Sequence, residues 1–116
     1  MLDSNPLVRA LQELQSHWKN FPVQQMLLFL EIARNDLEGR EWGVVEIGER
    51  LGMPQASVSR GITDLSSRTI PPGSSEPIDL VTTRPDAIDH RKRIPILTDK
   101  GRRVYESLSD LLTPTA

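Results

Sequence analysis

A mainly helical domain with a small β wing, a winged helix-turn-helix, is the fold class this 116-residue sequence predicts. Three observations predict it. Residues 45–65 carry two short amphipathic runs joined by a tight turn: Val45, Ile47, Gly48 and Leu51, then Gly52 and Pro54, then Val58, Ile62 and Leu65. Two runs of strand-forming residues, 78–84 and 93–97, flank a polar tip that holds several cations. Helical stripes lie on both sides of these motifs, at 6–37 and 99–112.

Length fits a single domain over 1–116, with helices for packing and dimerisation at 1–38, a helix-turn-helix at 44–67, a wing at 78–97 and a last helix at 98–113. The chain has no cysteine, which excludes disulfides and thiolate chemistry. Its first residues lack a basic region followed by a continuous apolar run, and the longest apolar cluster, 26–30, is too short to span a bilayer. A cytoplasmic protein with no membrane partner is the expectation. Net charge is −2, but residues 84–103 hold seven basic side chains against three acidic ones, leaving +4 there and −6 elsewhere. Such a separation lets one face meet phosphates.

In the first helix, 6–19, Leu7, Leu11, Leu14 and Trp18 form one stripe, with Ser4 or Asn5 as cap and Pro6 at the first helical position. That stripe must cover either its own domain or a second copy of the chain. After the break at 20–22, a second helix carries Val23, Met26, Leu27, Leu30, Ala33 and Leu37, widened by Leu28, Phe29 and Ile32; a helix so apolar is central. Gly39 ends it. Residues 40–45 read as a brief strand that adds to the wing sheet. Gly52 suits the left-handed turn between the next two helices, and Pro54 the first turn of the second. That second helix leaves Gln55, Ala56, Ser57, Ser59, Arg60 and Thr63 outside its buried seam, small or hydrogen-bonding side chains suited to a major groove. Three prolines, a glycine and two serines make 68–77 an exposed loop, mobile or used in a contact. Thr98 caps the last helix, in which Val104, Leu108 and Leu111 form a stripe that Tyr105 and Leu112 widen.

The order of elements and several motifs resemble the MarR family of dimeric winged-helix regulators. The residues that carry the resemblance are Glu49-Arg-Leu-Gly-Met-Pro-Gln-Ala-Ser-Val-Ser-Arg60, then Arg84-Pro-Asp86, Asp89-x-Arg91 and Leu97-Thr-Asp-Lys-Gly-Arg102, within about residues 45–105. By that resemblance Asp89 orients the wing and Arg91 enters the minor groove, while Gln55, Ser57, Ser59, Arg60 and Thr63 face the major groove. Arg84, His90, Lys92 and Arg93 complete the candidate DNA-binding set. Dimerisation is assigned to Leu7, Leu11, Leu14 and Trp18 with Leu108, Leu111 and Leu112. The chain departs from the family in its longer proline-rich connection, in Pro95 within a strand, and in being a short variant without the last dimerisation helix. The family allows for a small-molecule effector, but no residue pattern here identifies one.

Catalysis finds no support. His17 and His90 are the only histidines, no phosphate loop or catalytic triad spacing is present, and without cysteine a zinc site of the common type lacks ligands. Neither cofactor nor metal is expected. Two functions remain open: a DNA-binding transcriptional regulator, a repressor bound as a homodimer to an inverted repeat, or a winged-helix adaptor that docks a polymerase or replication partner.

Overall fold

The computed structural model describes residues 5–113. Its elements in order are α1 (Pro6–His17), α2 (Val23–Leu37), α3 (Val44–Leu51), α4 (Gln55–Leu65), β1 (Val81–Pro85), β2 (Arg93–Leu97) and α5 (Asp99–Leu112). β1 and β2 form one antiparallel hairpin. It is the expected architecture, and the differences lie in edges and faces.

Asn5 caps α1, its Oδ1 accepting the N–H groups of Leu7 and Val8 at 2.9 and 3.1 Å, with Pro6 at the first helical position. The other expected cap, Ser4, lies outside the described residues. α1 ends at His17 because Trp18 is already extended and its indole N–H donates to the Pro72 carbonyl at 3.0 Å. Trp18 also packs on Phe21, ring centroids 5.2 Å apart. Residues 68–77 are therefore tied to α1 at one point, and Pro71 is buried rather than exposed.

α2 is central, as predicted, but a different stripe is buried. Leu28, Phe29, Ile32 and Ala33 are fully enclosed, whereas Val23, Leu27, Leu30 and Leu37 are exposed. The helix carries two adjacent apolar stripes, and its contacts with α4 and β2 select one of them. Periodicity says that a stripe is buried without saying which of two neighbours it is.

The segment before α3 is not a third strand. A strand there would need the outer edge of β2, and that edge is spent: the Leu97 N–H donates to Asp36 Oδ2 at 3.0 Å, and Pro95, two residues earlier on the same edge, has no N–H. The same geometry explains how a proline sits in β2 without breaking the hairpin. Register pairs Thr83 with Pro95 at a position where neither residue gives its N–H to the ladder.

β1 begins at Val81, three residues later than expected. Asp79 has φ of 56°, which kinks the chain, and the Leu80 N–H donates to the Leu65 carbonyl at 2.8 Å. Ile78 and Leu80 are thus buried against the end of α4 instead of extending the hairpin. β2 spans the expected residues. Thr98 caps α5, its Oγ1 accepting the Gly101 N–H at 2.9 Å. Gly101 faces the Leu80 carbonyl so closely that a Cβ would overlap it. Ser107 Oγ donates to Glu13 Oε1 at 2.7 Å, and Lys100 stands near His17, so α1 and α5 run antiparallel.

That packing divides the residues assigned to dimerisation. Leu14, Trp18 and Leu108 lie in the chain's own core, where α1 meets α5, and Leu111 is half-buried against it. They do not belong to a free surface. Leu7, Leu11 and Leu112 remain exposed, joined by Val8.

Candidate nucleic-acid interface

The turn between α3 and α4 forms as its sequence demands. Gly52 has φ of 67° and its N–H donates back to the Gly48 carbonyl; Pro54 stands just before the first residue of α4. Val58 and Leu65 are fully buried and Ile62 nearly so, which fixes the helix rotation. On the other side Gln55, Ala56, Ser59, Arg60 and Thr63 are exposed and Ser57 is half-buried. Thr63 donates to the Ser59 carbonyl at 3.1 Å. Among the described residues Arg60 takes part in no ion pair. The ridge is slim, polar and unobstructed.

The hairpin tip is built on Asp89. Its Oδ1 accepts the Arg91 N–H at 3.1 Å and lies 3.5 Å from Arg91 Nε, and its carbonyl accepts the Lys92 N–H at 3.0 Å. The Arg91 side chain is 94% exposed and projects from the tip. His90 is exposed beside it. Three other cations from the predicted set are held by the protein itself. Arg84 pairs with Glu41 at 2.9 Å, Lys92 with Glu46 at 3.1 Å, and Arg93 donates from Nε and Nη2 to Thr83 across the hairpin. Glu46 does more than pair. Its Oε1 accepts the Gly43 N–H at 2.7 Å at the start of α3, and this bond, with the Lys92 ammonium, holds its carboxyl below the usual glutamate range.

α4 and the β1–β2 hairpin share one open cleft of about 610 Å³. Ser59 and Thr63 line it from α4, and Thr82, Thr83 and Arg93 line it from the hairpin. The predicted ridge and the predicted wing are therefore brought to the same side. Arg68, Thr82 and Thr83 also line this cleft, though the sequence pattern marks Arg68 only as a loop residue and the threonines only as strand formers. A second groove of about 550 Å³ lies between α2 and α5, lined by Leu27, Leu30, Glu31, Tyr105 and Leu112 among others, with no residue from α4 or the hairpin. The described residues include no group of His, Asp and Glu side chains placed to hold a metal ion. No helix among them is long and apolar enough to cross a membrane.

No family model and no curated protein matches this chain. Solved structures do. The transcriptional regulator BldR from Sulfolobus solfataricus superposes with a TM-score of 0.54 at 22% identity, over 75% of this chain and 54% of that one. YusO from Bacillus subtilis gives 0.61 at 17% identity, over 95% and 67%. AbfR, in a structure with DNA bound, gives 0.57 at 19% identity, over 87% and 65%. These neighbours are MarR-family transcriptional regulators. The fold is the MarR-type winged helix. At such identities the likeness is one of architecture, and the chain spans only 54% of BldR's length. Within the MarR-type fold α3 and α4 are the helix-turn-helix and the β1–β2 hairpin is the wing, in agreement with the elements read from the sequence.

Proposed function

We propose that this protein is a sequence-specific, double-stranded-DNA-binding transcriptional repressor that acts as a homodimer on an inverted repeat. α4 enters the major groove with Gln55, Ser57, Ser59, Arg60 and Thr63, and the wing brings Arg91 to the flanking minor groove. One observation carries the reading: the exposed ridge of α4 and the hairpin bearing Arg91 border a single cleft, as one duplex face requires. AbfR, which shares the fold, is seen bound to DNA. Phosphate contacts supply salt-sensitive affinity and the α4 ridge supplies sequence preference. The homodimer uses Leu7, Val8, Leu11 and Leu112, exposed apolar residues of α1 and α5.

Selection from a random duplex library tests this directly. It should recover a palindrome with half-sites about one helical turn apart. Replacing Arg91 with alanine should weaken binding to that duplex by roughly 1–3 kcal/mol where it reads a base edge, and flatten the salt dependence where it meets phosphate. Recovery of no preferred sequence, together with an unaffected Arg91→Ala variant, would point instead to a protein-docking winged helix.

A further inference from the structure

We propose that the cleft between α4 and the wing is a seat for one DNA strand's phosphodiester backbone, with Arg68 its principal, previously unassigned anchor. The inference rests on the DNA-binding reading above and adds to it a place and a set of residues. In B-form DNA the major and minor grooves are separated by a single sugar–phosphate strand. A helix in one groove and a hairpin tip in the next must therefore straddle that strand. Between α4 and the hairpin the described residues leave an open cleft of about 610 Å³, which gives that strand a place to lie.

Its lining has the chemistry of an anion seat. Ser59, Thr63, Thr82 and Thr83 present hydroxyl groups, Arg68 and Arg93 present guanidinium groups, and the remaining lining side chains are apolar. No carboxylate borders it, in a chain with more acids than bases. Arg93 is already oriented: Nε and Nη2 are fixed on Thr83, at 3.3 and 3.0 Å from its Oγ1, so its free N–H edge is presented without further ordering. In ion pairing Arg68 differs from Arg84 and Lys92 and resembles Arg60. Arg84 and Lys92 are paired to carboxylates, whereas the exposed Arg68 takes part in no ion pair among the described residues. Its backbone is pinned by its N–H donating to Ser66 Oγ at 3.1 Å, which holds it at the mouth of the cleft just past α4. A fixed stem carrying an unpaired guanidinium beside a row of hydroxyls suits a phosphodiester oxygen.

The test uses the full chain and two duplexes: the one selected from the random library and a mixed-sequence control of equal length. Arg68→Ala should lower affinity for both by a similar roughly three- to tenfold, and reduce the slope of log affinity against log salt by about 1. Single uncharged methylphosphonate linkages are then walked along the selected duplex. One linkage, at the border between the major-groove half-site and the flanking minor groove, should weaken the unmodified protein more than it weakens Arg68→Ala. The seat is refuted if Arg68→Ala binds with unchanged affinity and slope while Arg60→Ala and Arg91→Ala are impaired, a result that leaves the DNA-binding reading standing. It is refuted too if the loss is confined to the selected sequence, which is base readout, or if every linkage weakens Arg68→Ala as much as it weakens the unmodified protein. Failure of the unmodified protein to bind either duplex defeats both the seat and the reading beneath it.

Discussion

Lys92 and Glu46 show how far a residue's role can move once its neighbours are known. In the sequence Lys92 is one of several cations at a wing tip, all equivalent as phosphate contacts. In the fold its ammonium is 3.1 Å from a carboxylate forty-six positions earlier, which also caps α3 through the Gly43 N–H. Nothing local announces such a pair. Lys92 thereby links the hairpin tip to the start of α3. Replacing Glu46 with Gln separates the two jobs, because the amide oxygen still accepts from Gly43 while the charge is gone. Folding stability should change by less than about 1 kcal/mol, as expected for a half-buried pair that water still reaches. Affinity for the selected duplex should fall about two- to fivefold as the tip loses its fixed angle. Adding Lys92→Met should then cost nothing more in a binding titration. A further loss, with the salt slope lowered by about 1, would return Lys92 to the phosphate contacts. By contrast the Asp89-x-Arg91 pair was picked out by its resemblance to a family motif, and its bond joins residues only two apart, so it needs no distant partner.

At the scale of elements, local signals were read correctly and tertiary choices were not. Caps at Asn5 and Thr98, the Gly52 turn and the extent of β2 follow from residues within a turn of one another. The buried stripe of α2, the start of β1 at Val81 and the absence of a strand before α3 follow from partners far away, chiefly Leu65 and Asp36. The union of α1 with α5 adds a consequence that no helical pattern reveals. It places His17 near Lys100, and burial first, then the lysine's charge, lowers the histidine's pKa below its ordinary value despite the opposing pull of Glu13. Protonation is thus harder in the folded chain than in the unfolded one. The unfolded state binds the extra proton, so stability is intact above about pH 6.5 and declines as pH falls from there through the lowered value. Urea midpoints at about pH 7.5 and about pH 5.5 should show this decline in the parent and a smaller one in His17→Gln. Equal declines in the two proteins would show that His17 does not couple the α1–α5 pair to pH.

For the whole molecule, the question is what two small domains gain by acting together. One winged helix of this size offers a single recognition helix and a single wing, and a two-fold pair doubles both on a palindromic site. The sequence assigned that pairing to stripes of the first and last helices, of which Leu14, Trp18 and Leu108 close the chain's own core. What remains at the end where α1 begins and α5 finishes is Leu7 at 59% exposure, Leu11 at 42% and Leu112 at 50%, with Val8 between them. Burying each such leucine against a second copy contributes up to about 1.5–3 kcal/mol, enough in sum to offset much of the entropy of association. Substituting Leu7 and Leu11 together with Glu places carboxylates on that patch and leaves the core untouched. The parent should sediment as a dimer at micromolar concentration, and the double variant as a folded monomer with an unchanged helical circular dichroism spectrum. That monomer should bind a single half-site about as well as it binds the full palindrome, losing the advantage of two-fold contact while keeping its choice of bases. A double variant that still sediments as a dimer would move the interface to another exposed apolar surface, such as the groove between α2 and α5 around Leu27 and Leu30.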